Sequence, residues 1–73
     1  MCGIFGCALK KGNAAPLVHA ALKRLEYRGY DSVGEATISD GKLYAKKDRG
    51  KIDEVHRIHN LDDLPGSIGI GHT

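Results

Sequence analysis

Cys2-Gly3-Ile4-Phe5-Gly6-Cys7-Ala8-Leu9 is a short apolar run closed by the polar turn Lys10-Lys11-Gly12. It reads as a buried strand, and a strand here pins the start of the chain. Pinning matters because Cys2 follows Met1 directly. Removal of the methionine would put a thiol and a free α-amine on one residue. A thiol of pKa near 8.5 is only a few per cent ionised at neutral pH, so a nucleophilic cysteine needs a base beside it. The α-amine has a pKa of about 7.7 to 8.0, so roughly a third is free base near pH 7.5, against about one in a thousand for a lysine amine. The two groups share one Cα, and a bound water could relay the proton between them. Gly3 removes a side chain beside the reactive atoms and lets a substrate approach the backbone, or simply starts the strand. Cys2 is equally compatible with an inert, buried cysteine, since free cysteine is among the most buried residue types.

The 73 residues suffice for one small domain, and a chain of this length buries only about 60% of the surface it exposes unfolded. Its two cysteines lie five positions apart in one strand, a reach of roughly 16 Å when extended, too far for a disulfide. The odd spacing turns them to opposite faces. Unpaired thiols, and the lack of a signal-type or spanning apolar segment, predict a cytoplasmic protein with no membrane partner. A net charge of +2, evenly mixed, argues against nucleic-acid binding. Lys46-Lys47-Asp48-Arg49-Gly50-Lys51 reads as a solvated turn.

Beyond the first strand, Asn13 can cap a helix that tolerates Pro16 in its first turn. Val18, Ala21, Leu22 and Leu25 recur at helical spacing, with Leu17 widening the stripe, and Gly29 ends the helix. Val33 to Ser39 and Lys42 to Lys47 read as strands joined at Asp40-Gly41, a type I′ hairpin signal. A shorter helix over Lys51 to His59 carries Ile52, Val55 and His59 along one side, and Pro65-Gly66 breaks the chain before the strand-like Ser67-Ile68-Gly69-Ile70-Gly71. That last run is expected to lack a partner strand and to expose unpaired backbone groups.

Several patterns fail on mechanism. Gly29 and Gly34 have the spacing of a phosphate loop, but Glu35-Ala36 follows where a lysine and a hydroxyl are needed. Gly66, Gly69 and Gly71 run in the reverse order to a dinucleotide fingerprint. His56 and His59 lack a third ligand at a suitable spacing, so they read as one solvated and one half-buried histidine, with no metal. His19 reads as a helix-surface residue beside the polar Lys23 and Glu26.

Leu25-Glu26-Tyr27-Arg28-Gly29-Tyr30-Asp31-Ser32 concentrates more functional side chain than a connector needs. Together with Cys2-Gly3-Ile4-Phe5-Gly6, Gly50-Lys51-Ile52 and Gly69-Ile70-Gly71-His72-Thr73, it closely resembles the N-terminal glutaminase domain of the glutamine–fructose-6-phosphate aminotransferase (isomerizing) family. The resemblance runs end to end. It implies an α+β fold, the αββα sandwich of N-terminal-nucleophile hydrolases, with only the opening β-α-β-β-(α)-β portion present in residues 1–73 and the domain cut short at its C-terminal end. It implies Cys2 as nucleophile with its α-amine as base, and Arg28 and Gly29 as a turn packed beside that terminus. His72 and Thr73 match the start of the glutamine-binding strand. The implied partners are glutamine and, through other domains, fructose 6-phosphate, in a homodimeric full-length enzyme without a cofactor.

The family continues after His-Thr with Arg-Trp-Ala-Thr-His-Gly, whose arginine holds the substrate carboxylate, and later supplies an Asn-Gly oxyanion hole and an aspartate for the substrate amine. Losing even one oxyanion donor can cost about a hundredfold, so residues 1–73 alone are expected to be inactive. Val33 stands where the family has alanine, and Glu35 puts a charge where the family strand is apolar. Two other readings remain at this stage: a catalytically empty binding or regulatory module from the same domain, and a redox or metal module using Cys2, Cys7 and histidines.

Overall fold

A computed structural model describes residues 2–28 and 31–73, with the main chain only at Arg28. Strand β1 (Ile4–Ala8) leads into helix α1 (Ala15–Leu25), which runs out in a 3-10 turn (Glu26–Arg28). Strands β2 (Ser32–Ser39) and β3 (Lys42–Arg49), helix α2 (Ile52–His59) and strand β4 (Ile68–His72) follow. The hairpin turn is as read, with positive φ at both Asp40 (53°) and Gly41 (76°). The basic stretch after Ala45 is not a solvated turn: Lys46 to Arg49 complete β3, paired with Glu35 to Ser32.

The four strands form one antiparallel sheet in the order β1-β4-β2-β3. The last strand is therefore not unpartnered. It sits between β1 (Ile4↔His72 to Ala8↔Ile68) and β2 (Gly34↔His72 to Ile38↔Ile68). Its sequence explains why a central place suits it, because Gly69 and Gly71 turn a bare face to α1. A Cβ on Gly71 would lie 2.6 Å from Val18 Cγ1 and 2.8 Å from Leu22 Cδ1, distances no packed carbon tolerates. Val18 and Leu22 seat on that groove and join Val33, Ile52, Val55 and Leu61 in the core, with Phe5, Cys7 and Leu25 against it. Burial of each such aliphatic side chain stabilises the fold by about 1.5–3 kcal/mol.

Asn13 does not cap α1. The N-cap position is Ala14, whose N–H donates to Gly66 O at 2.8 Å, so contact with the loop before β4 sets the helix start. Glu26 caps a different helix: its Oε2 accepts from Ile52 N at 2.6 Å, and Glu54 Oε1 accepts from Lys51 N at 3.1 Å. Together they satisfy donors that a helix start leaves free.

Helices cover one face of the sheet. On the other face, beside polar residues such as His72, large apolar side chains stand outward: Ile4 is 80% exposed, Leu43 71%, Ile70 60%, Ile68 51% and Ile38 49%. Thus β1 is an edge strand with one open side, not the fully buried strand its composition suggested. A hollow of about 220 Å³ lies on this face, lined by Ile4, Ala36, Ala45, Ile70 and His72 among others. No helix among the described residues is long and apolar enough to cross a membrane.

Candidate active site

The site is built where the chain start meets the end of β4. Cys2 is exposed, while Gly3 next to it is buried. Gly3 is held from three sides. Its N–H donates to Thr73 Oγ1 at 3.1 Å, its carbonyl accepts from Thr73 N at 3.0 Å, and a Cβ on it would meet Leu25 Cβ and Cδ1 at 3.0 Å. The space above Gly3 is thus filled by the last residue of α1, which is a structural reason for glycine there. His72, one residue back along β4, pairs with Ile4 and is exposed on the open face.

Of the expected site residues, Cys2, His72 and Thr73 converge at this corner. The side chain of Arg28 and all of Gly29 lie outside the described residues, although Leu25 brings the end of α1 against Gly3. Cys7 is half-buried, packed on the core, and both cysteines are free. One cysteine is exposed and the other only half so. Sequence reading missed Leu25 as a wall of this corner, although it ends the apolar stripe of the helix and opens the tract from Leu25 to Ser32.

A second polar cluster lies away from this corner, between the helices. His19 is only 9% exposed, which corrects its reading as a surface residue. Its partner explains the burial: Nδ1 lies 2.8 Å from Asp62 Oδ1, and the ring meets His56 at a tilt of 39° with centroids 4.4 Å apart. His56 Nε2 faces Asp62 Oδ2 at 4.0 Å. The three side chains are close enough to share a metal ion, but the protons argue against it. His56 Nδ1 accepts from Leu61 N at 3.1 Å, so in the neutral ring Nε2 carries the hydrogen and has no lone pair for a cation. The cluster is better described as a hydrogen-bonded tie between α1, α2 and the loop after α2. His59 points elsewhere, to Asp48 Oδ2 at 3.0 Å.

Glu35 faces the helix layer from β2, only 3% exposed, and neither carboxylate oxygen has a hydrogen-bond partner among the described residues. Burial, first, and then the nearby Asp62 and Asp63 push its pKa up to about 8, against the opposing pull of Lys46. It is therefore mostly neutral at pH 7. Lys46 itself bridges to Asp63, to His59 O at 2.5 Å and to Asn60 O at 3.1 Å, fastening the end of α2 to β3.

No family model matches the chain. The curated glutamine–fructose-6-phosphate aminotransferases (isomerizing) of Methanothermobacter thermautotrophicus and Pyrococcus horikoshii are 60% and 53% identical to it over 73 residues, the whole of this chain but 12% of each relative. Among solved structures, glutamine phosphoribosylpyrophosphate amidotransferase from B. subtilis, complexed with ADP and GMP, superposes with a TM-score of 0.86 at 30% identity. The alignment covers 96% of this chain and 15% of that one.

Over its whole length the chain is similar to enzymes that use glutamine as a nitrogen donor.

A second solved structure, the allosteric regulatory enzyme of purine biosynthesis, superposes with a TM-score of 0.80 at 31% identity. The chain spans about an eighth of the length of the curated aminotransferases it matches. Its β-α-β-β-α-β order builds one helical layer on one antiparallel sheet, an α+β arrangement that superposes on the amidotransferase structure over 96% of this chain.

Proposed function

We propose that this chain opens the glutaminase domain of an enzyme that takes ammonia from glutamine and transfers it to fructose 6-phosphate, giving glucosamine 6-phosphate. The observation that carries the reading is Cys2, exposed and one residue before a Gly3 held on three sides. After Met1 is removed, the α-amine takes the Sγ proton and the thiolate attacks the side-chain amide carbon of glutamine. The tetrahedral intermediate collapses as the amine returns its proton to the departing nitrogen. Ammonia leaves, and water hydrolyses the thioester to glutamate and free Cys2.

By their match to the family, Arg28 and Gly29 are assigned to supporting the amine and thiol of Cys2, and His72 and Thr73 begin the glutamine-binding strand. The pairing Ile4↔His72 and Phe5↔Gly71 extrapolates to put the residue after Thr73 across from Cys2. In the family this is the arginine that holds the substrate carboxylate, which would place clamp and nucleophile on neighbouring strands. Residues 1–73 are part of one domain and inactive alone. The full-length enzyme is a cytoplasmic homodimer that needs no nucleic acid or membrane.

Ammonia release by the full-length chain tests the reading. Cys2→Ala is expected to abolish glutamine hydrolysis, while Cys7→Ala keeps most of it. Full activity in Cys2→Ala would refute the assignment.

A further inference from the structure

We propose that Thr73 is a positioning residue for the nucleophile, acting through its side-chain hydroxyl on the peptide that joins Cys2 to Gly3. The inference rests on Cys2 being the nucleophile, and it concerns what fixes the geometry of that residue. Between Ile4 and Ala8 the first strand is held in register with β4. At Gly3 the pattern changes. Thr73 N still donates to Gly3 O, at 3.0 Å, but the Gly3 N–H turns to the Thr73 side chain, meeting Oγ1 at 3.1 Å.

That N–H belongs to the Cys2–Gly3 peptide. Its hydrogen bond fixes the plane of that peptide, and once Met1 is gone only two torsions remain to place the reactive groups: ψ of Cys2 sets the amine and χ1 sets Sγ. A strand end without this bond would fray, and amine and thiol would swing together away from the substrate amide and from a water that relays the proton between them. Two further features keep the contact in place. Thr73 is 6% exposed, so water competes poorly for the bond. Leu25 occupies the space where a Gly3 side chain would lie and holds Gly3 against β4. A displacement near 1 Å at a reacting group costs about a hundredfold, so a single buried hydroxyl can set the rate without touching substrate.

The test uses the full-length chain and compares Thr73→Val, which keeps the shape and removes the acceptor, with Thr73→Ser, which keeps the acceptor. Steady-state glutaminase kinetics and the alkylation rate of Cys2 by iodoacetamide at one pH are the readouts. Thr73→Val should lower kcat by about 10- to 100-fold, with KM for glutamine changed less than threefold, and should slow alkylation of Cys2. Thr73→Ser should recover both to within about threefold. Should Thr73→Val fail to fold, Thr73→Ala, which leaves room for a water in place of the hydroxyl, carries the same comparison. Wild-type kcat in Thr73→Val, or an equal loss in Thr73→Ser, overturns the proposal. A parallel Cys2→Ala variant separates the two layers of inference: if it is inactive while Thr73→Val is unimpaired, the clamp fails and the nucleophile stands; if it retains activity, the reading beneath the clamp fails.

Discussion

At the scale of single residues, the chain separates two cysteines by surroundings rather than by type. Cys2 stands exposed beside a fixed peptide, and Cys7 packs on the core. Glu35 makes a different point. A carboxyl with an ordinary pKa of 4.5 that is raised to about 8 in the folded state favours folding when protonated. Its contribution is whole below about pH 4.5, declines as pH rises between the two values, and is gone above about pH 8. Glu35→Gln removes that titration. The difference in thermal midpoint between Glu35→Gln and wild type should move in the variant's favour from about pH 5 to about pH 8 and then level off. A difference that stays constant over that range would show that Glu35 is not buried as described. Asp62, which ties His19 and sits near His56, is the hub of the cluster between the helices. Asp62→Ala should cost about 1–3 kcal/mol by leaving the buried His19 Nδ1 without its acceptor, as measured by chemical denaturation.

At the scale of elements, periodicity and turn chemistry carried far. The hairpin at Asp40-Gly41, the helix over Ile52–His59 and the break at Gly66 are where the residues pointed. Whatever depended on a distant partner was not legible. The final strand looked unfinished because its neighbours, Ile4–Ala8 and Ser32–Ser39, lie far back in the chain. His19 looked solvated because its local neighbours are polar, whereas the residue that satisfies it is Asp62. Glu26 belongs to a tract that resemblance marks for function, yet its carboxylate caps α2. At the candidate site, Cys2 was singled out from position alone and Thr73 as a match, while the contact of Thr73 with Gly3 came only from the structure. The bare face of β4 yields a sharp expectation. Gly71→Ala drives a methyl into Val18 and Leu22 and should destabilise by about 1–3 kcal/mol, whereas Gly12→Ala, where a Cβ meets nothing within 4 Å, should cost less despite its positive φ of 94°. Equal losses in denaturation midpoint would contradict the packing of α1 on β4.

At the scale of the whole molecule, one helical layer and one sheet account for a body only 15 Å deep along its shortest axis. The open face, with Ile4, Ile38, Leu43, Ile68 and Ile70 turned outward, carries the kind of side chains that pack between layers in sheet-on-sheet folds. Domains are stable by only about 5–15 kcal/mol, so leaving these side chains in water matters. Residues 1–73 alone should associate or bind a hydrophobic dye and hydrolyse no glutamine, while the full-length chain shows a cooperative thermal transition and releases ammonia. A sharp monomeric transition in the short chain, seen by calorimetry with sedimentation, would mean that the open face needs no cover. The central claim, that Cys2 with its free α-amine is the nucleophile, is tested most directly by intact-mass and peptide-mass measurement of the full-length chain after reaction with an electrophilic glutamine analogue. The account predicts a single adduct on a chain that begins at Cys2, with Cys7 unmodified; an adduct on Cys7, or glutamine hydrolysis by a chain that still carries Met1, would contradict it.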